Sequence, residues 1–125
     1  MRYDLIFITT ALLCLLFGEG LGLYMGMNEN FLLAPAHAHL NLLGWVTLAA
    51  YGLLHRAYPA LATSRLAAFQ CWFAVLSNIA MPAGLAMMLL GGDAALVKYG
   101  SLAVLLATLL FVVMFVRRVT LAKAA

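Results

Sequence analysis

The sequence predicts an all-α integral membrane protein, a four-helix up-down bundle with both termini on the cytoplasmic side. Three observations predict it. Of 125 residues, 67% are hydrophobic and only 9% charged, where a soluble domain carries roughly 25% charged residues. Four apolar runs fill nearly the whole chain, each close to the ~20 residues that take a helix across ~30 Å of hydrocarbon. The basic residues, finally, fall almost entirely on one side of those runs.

The first run covers about residues 5–27 and ends at Asn28-Glu29-Asn30. The second covers about 36–55, opened by Pro35, a residue suited to the first turn of a helix. Tyr58-Pro59 through Ser64 separates it from the third, about 66–90. Asn78 and Pro82 interrupt that third run, and the proline should kink its helix. Gly91-Gly92-Asp93 then leads to the fourth, about 96–116. Every backbone N–H and C=O in lipid needs an internal partner, so spanning runs are helices. Short connections set sequence neighbours side by side and antiparallel. Residues 1–125 thus read as a single transmembrane domain. Ala34-Pro35-Ala36 resembles a signal-peptide cleavage site, but the apolar stretch before it is too long and Glu19 interrupts it.

Orientation follows from charge. Arg2, Arg56, Arg65, Arg117, Arg118 and Lys123 lie on one side of the spans and Lys98 alone on the other. Cytoplasmic loops retain Lys and Arg, which predicts a multi-pass protein of the bacterial inner membrane. The net charge of +3 is accordingly a topology signal. It flanks spans without forming a stripe, so no nucleic-acid partner is expected. Cys14 and Cys71 read as two free apolar thiols.

Ionisable groups inside a span mark candidate functional sites. The most informative stretch is Pro35-Ala-His37-Ala-His39-Leu-Asn41-Leu-Leu-Gly44-Trp45. His39 would sit roughly 6 Å inside the outer boundary and His55 some 24 Å further down the same helix, at 1.5 Å per residue. One cofactor therefore cannot be bound by both. Residues two apart are about 200° apart on a helix, so His37 and His39 face different ways. His37 shares a face with Asn41, Gly44, Trp45, Gly52 and His55, and His39 shares one with Leu43 and Val46. Which of the pair points inward stays open, because a one-residue change in helix start rotates both. Trp45 also suits an interfacial aromatic. His55, beside Arg56, is expected at the inner interface or as a weak partner of a propionate.

Glu19 is the other outlier, flanked by Gly18 and Gly20. An unpaired carboxylate at its depth costs on the order of 3 kcal/mol. Gly18, Gly22 and Gly26 form a small-residue stripe, which serves helix packing or makes room for a flat ligand or a second subunit. Met25, Met27, Met81, Met87 and Met88 fall toward the same side as the histidines. Thioether with imidazole suits copper or a haem iron with mixed axial ligands, although methionine is also ordinary apolar filler.

His37-Ala-His39-Leu-Asn41-Leu-Leu-Gly44-Trp45 resembles the histidine-bearing helix of small membrane proteins grouped with haem–copper oxidase subunit I. It is similar, too, to the His-Ala-His opening of haem- and copper-containing membrane proteins of the nitric-oxide response. The likeness covers roughly residues 18–58. It implies haem b in the bundle, with His39 or His37 as axial ligand. With only three histidines in the chain, a full oxidase centre with a second haem and copper is not built, and oxygen reduction or proton pumping by this chain alone is not expected. The expected function is electron transfer or binding of a diatomic gas such as NO or O2, with an iron site at His39 and His37 and Met81 as a further metal ligand. Asn41, Gly44, Trp45, Glu19 and Gly22 would line the cofactor. The chain would work as a homo-oligomer, in contact with lipid and with a respiratory or nitric-oxide-handling complex. The alternatives are a copper-binding delivery protein for oxidase assembly and a non-catalytic scaffold subunit.

Overall fold

A computed structural model describes residues 1–120. Those residues form four helices and no strand. α1 spans Tyr3–Met27. α2 is continuously helical over residues 34–57 in three stretches: Ala34–His39, Leu40–Thr47 with wide π spacing, and Leu48–Ala57. After a 3₁₀ turn at Pro59–Leu61, α3 covers Ala67–Leu89 and α4 covers Ala95–Phe115, with a final π turn at Val116–Thr120. Lys123, counted among the basic residues, lies outside the described residues. The expected boundaries differ from these by no more than two residues, except where the π turn extends α4. Hydropathy marks the apolar stretch of a helix, whereas Ala34, Pro35 and Asp4 complete its polar first turns.

Two helix ends show why the chain turns where it does. At the end of α1, Asn30 N–H donates to Met25 O and Glu29 N–H to Gly26 O, with Glu29 at φ 49°. At the end of α3, Gly92 N–H donates to Met87 O and Gly91 N–H to Met88 O, with Gly91 at φ 88°. Both are Schellman closures that bond carbonyls the helix leaves free. Glycine takes the left-handed position at the second without strain.

The helices meet through small residues. A methyl group on Gly52 would lie 2.6 Å from Ile8 Cγ1, and one on Gly44 2.9 Å from Cys14 Sγ. Further along, one on Gly18 would lie 2.5 Å from Asn41 Oδ1, and one on Gly22 3.0 Å from His37 Cε1. Rising numbers on α1 pair with falling numbers on α2, so the two run antiparallel. α3 and α4 are likewise antiparallel, with Gly84 against the backbone of Leu96 and Val97 and Gly100 against Met81.

The core is richest at the Arg2 end. Tyr51 stacks on Phe111 at 4.3 Å between ring centres and meets Phe7 edge-on at 5.6 Å. Its hydroxyl donates to Thr108 Oγ1 at 3.0 Å, joining α2 to α4. Outward-facing positions are apolar as well, with Leu16 67% and Phe17 69% exposed. A water-soluble monomer rarely shows so much apolar surface. Three helices, Tyr3–Met27, Ala67–Leu89 and Ala95–Thr120, are long and apolar enough to cross a membrane. Cys14 and Cys71 are buried free thiols, as expected.

Candidate functional site

The two histidines and Asn41 sit where α2 changes from α to π spacing, at its Pro35 end. Widening the hydrogen-bond step shifts carbonyls away from their usual partners, and π turns often occur at functional positions. Asn41 meets that need locally. Its Nδ2 donates to the His37 carbonyl at 3.0 Å and also lies 3.3 and 3.4 Å from the two ring nitrogens of His37. Thr47 Oγ1 closes the far side of the π stretch by donating to Leu42 O at 2.8 Å.

His37 is the inward member of the pair. Its ring lies over Gly22 and beside the Asn41 amide, half-buried between α1 and α2. His39 faces another way. Its Nδ1 is 2.8 Å from the Pro35 carbonyl, and a carbonyl only accepts, so Nδ1 carries the hydrogen. Nε2 of a neutral His39 is then a free lone pair on a half-exposed ring, the form that ligates a metal.

Several expected partners lie elsewhere. Glu19, expected to line the cofactor, is exposed and has no hydrogen bond or ion pair among the described residues, and the acceptor for the His39 Nδ1–H is the Pro35 carbonyl. Gly18 takes the inward position on α1, and its neighbour Glu19, about 100° around the helix, therefore faces out. Gly18 and Gly22 leave no slot for a flat ligand, because the side chains of Asn41 and His37 occupy it. Gly44 receives Cys14, and Trp45 packs half-buried against the core. Met81 lies on the α3–α4 contact opposite Gly100, a different interface from His37 on α1.

A cleft of about 410 Å³ opens between α1, α2 and α3. Cys14, Phe17, Ala36, Leu40 and Pro82 line it with other apolar residues, and neither His37 nor His39 does. Among the described residues no group of three or more His, Cys, Asp or Glu is arranged to hold a metal ion.

Some features had no strong sequence signal. Gln70 is fully buried in α3 with neither amide atom hydrogen-bonded, and Asn78 is fully buried with Nδ2 on Ala74 O but Oδ1 unbonded. Asn78 stands out as a polar residue in mid-run, whereas Gln70, near the run's start, reads as an end residue. His55, expected at the inner interface beside Arg56, is 4% exposed and boxed by aromatic rings. Comparison with family models, curated proteins and solved structures finds no match to this chain. The resemblance of residues 18–58 to haem–copper oxidase subunit I therefore gains no support from these comparisons.

Proposed function

We propose that this chain is a multi-pass protein of the bacterial inner membrane, an up-down bundle with both termini inside, that binds haem b between copies of itself. His39 supplies one axial ligand from each copy that takes part. The observation that carries this reading is the His39 ring, fixed by its Nδ1–H on Pro35 O and partly exposed, with Nε2 as the free lone pair of the neutral ring. A second chain has reason to cover α1. Glu19 is exposed on α1, and methyl groups on Gly20 and Gly26 would meet nothing. A carboxylate left in lipid costs on the order of 3 kcal/mol, and an open glycine such as Gly26, on the Glu19 face, admits a close neighbour.

Bound haem would supply a one-electron couple or a site for a diatomic gas. The chain's own part is to hold the His39 imidazole in one tautomer and to keep water away with the apolar residues around it. His37, tied to Asn41 and shielded by Gly22, braces the helix mouth and is the second candidate for the iron. Met81 is less suited to the iron than a second copy's imidazole, since it lies against α4.

A visible spectrum of the purified protein tests the reading. His39→Ala should abolish the Soret band, and His55→Ala should leave most of it. Haem retained by the His37→Ala, His39→Ala double variant would overturn the assignment. Bound copper without a Soret band would establish the delivery reading in its place.

A further inference from the structure

At the Arg2 end, far from His39, a second polar site has formed. Arg2 grips Asp4 with two hydrogen bonds, Nε to Oδ1 at 2.9 Å and Nη2 to Oδ2 at 2.8 Å. Arg56 Nη1 stands 3.6 Å from the same Oδ2. Two guanidiniums against one carboxylate leave the group with a single excess positive charge. Both arginine side chains are mostly exposed, at 60% and 68%, so several N–H donors remain unused. Together with His55 and Pro59 they line a cavity of about 300 Å³.

His55 forms its floor. The ring is held by Phe7, Phe111 and Tyr3, with centres 5.4, 5.8 and 6.1 Å away. Nδ1 is 3.0 Å from the Tyr51 carbonyl, so it carries the hydrogen and a neutral ring presents Nε2 as an acceptor. That nitrogen is buried with no hydrogen-bond partner. Leaving it unpaired is costly, and a fixed acceptor under a cationic rim defines a complementary ligand. The ligand needs one negative charge to match the excess and one O–H to donate. A carboxylate loses its O–H on ionising, whereas a singly charged phosphate, or a phosphodiester with a hydroxylated headgroup, has both.

We propose that this cavity binds a monoanionic phosphate group carrying a hydroxyl, its oxygens accepting from Arg2 and Arg56 and its O–H donating to His55 Nε2. Phosphatidylglycerol and free dihydrogen phosphate share that chemistry. This site stands independently of the haem reading, since none of its residues is near His39 along α2.

The test uses the full chain in mild detergent, loaded with a mixture of phosphatidylglycerol and phosphatidylcholine, with retained lipid counted by native mass spectrometry. Inorganic phosphate and sulfate are compared in parallel by their effect on the melting temperature. The wild type should retain phosphatidylglycerol in preference to phosphatidylcholine. Arg56→Gln should reduce that preference about tenfold, the loss of one charge-assisted hydrogen bond, and His55→Phe, which removes a neutral hydrogen bond, about fivefold. Phenylalanine keeps the aromatic packing, and circular dichroism checks that both variants fold. If His55→Phe does not fold, the exposed Arg56→Gln carries the test by itself. Stabilisation by phosphate but not sulfate, without lipid preference, assigns the site to the free ion. Equal retention of both lipids together with no phosphate effect overturns the proposal. So does a folded Arg56→Gln that keeps the wild-type preference.

Discussion

Glycine shows how one residue type serves opposite ends in this fold. A methyl group on Gly84 would lie 2.5 Å from Val97 N and 2.7 Å from Leu96 C, both backbone atoms that cannot step aside. At Gly26 the same methyl would meet nothing within 4 Å. Gly84→Ala should therefore force α3 and α4 apart and cost about 1–3 kcal/mol. Gly26→Ala should be neutral or stabilising by up to about 1 kcal/mol, through helix propensity alone. Thermal melts in one detergent check the pair, and a Gly84→Ala midpoint at or above wild type would refute the close contact. Gly22 stands between the two, because a methyl there would lie 3.0 Å from His37 Cε1, a side-chain atom that must give by a few tenths of an ångström. A large residue there would act first on the packing of α1 against α2, and only through that on any partner chain.

At the scale of the element, the distinctive feature is the π stretch of α2, which begins just past His39. An α-helix closes a turn in 3.6 residues, and a run of wider turns moves every later side chain around the axis relative to the earlier ones. His37, Asn41, Gly44, Gly52 and His55 nonetheless share the face toward α1 or the core, as their spacing predicts. The stretch is sustained by side chains, chiefly the Asn41 amide on the His37 carbonyl and the Thr47 hydroxyl on Leu42 O. Asn41→Leu keeps the volume opposite Gly18 but removes the donor. It should lower stability by about 1–2 kcal/mol and loosen His37, seen as a lower denaturation midpoint. An unchanged midpoint would show that the backbone holds the π spacing without this amide.

For the whole molecule, surface and interior exchange the roles they have in a soluble protein. Large apolar side chains cover the outside, while Gln70, Asn78 and Ser77 are buried. Arg2, Arg56, Arg65, Arg117 and Arg118 are all exposed at one end, where Ser64 and Arg65 share a small cavity with Arg117 and Arg118. That distribution supports the proposed orientation. Reporter fusions at the C-terminus and after Asn30 should report opposite compartments. The same compartment from both would reject the topology.

The sequence by itself determined the helices, because apolar length and turn residues such as Gly91 and Pro35 act locally and need no partner to be read. It determined, too, that His37 and His39 face apart and that Cys14 and Cys71 are apolar thiols, since both follow from periodicity and composition. Only the tertiary structure decided which histidine turns inward. That choice depends on Gly22 of another helix, some fifteen residues back, offering a gap of the right depth. The same holds for Gly18 under Asn41, which closes the slot that the glycine stripe alone leaves undecided between ligand and side chain. It holds also for His55, whose burial needs Phe7 from α1 and Phe111 from α4 to arrive at one point. Pattern fixes what each helix presents, and the meeting of two faces fixes what fills the space between them.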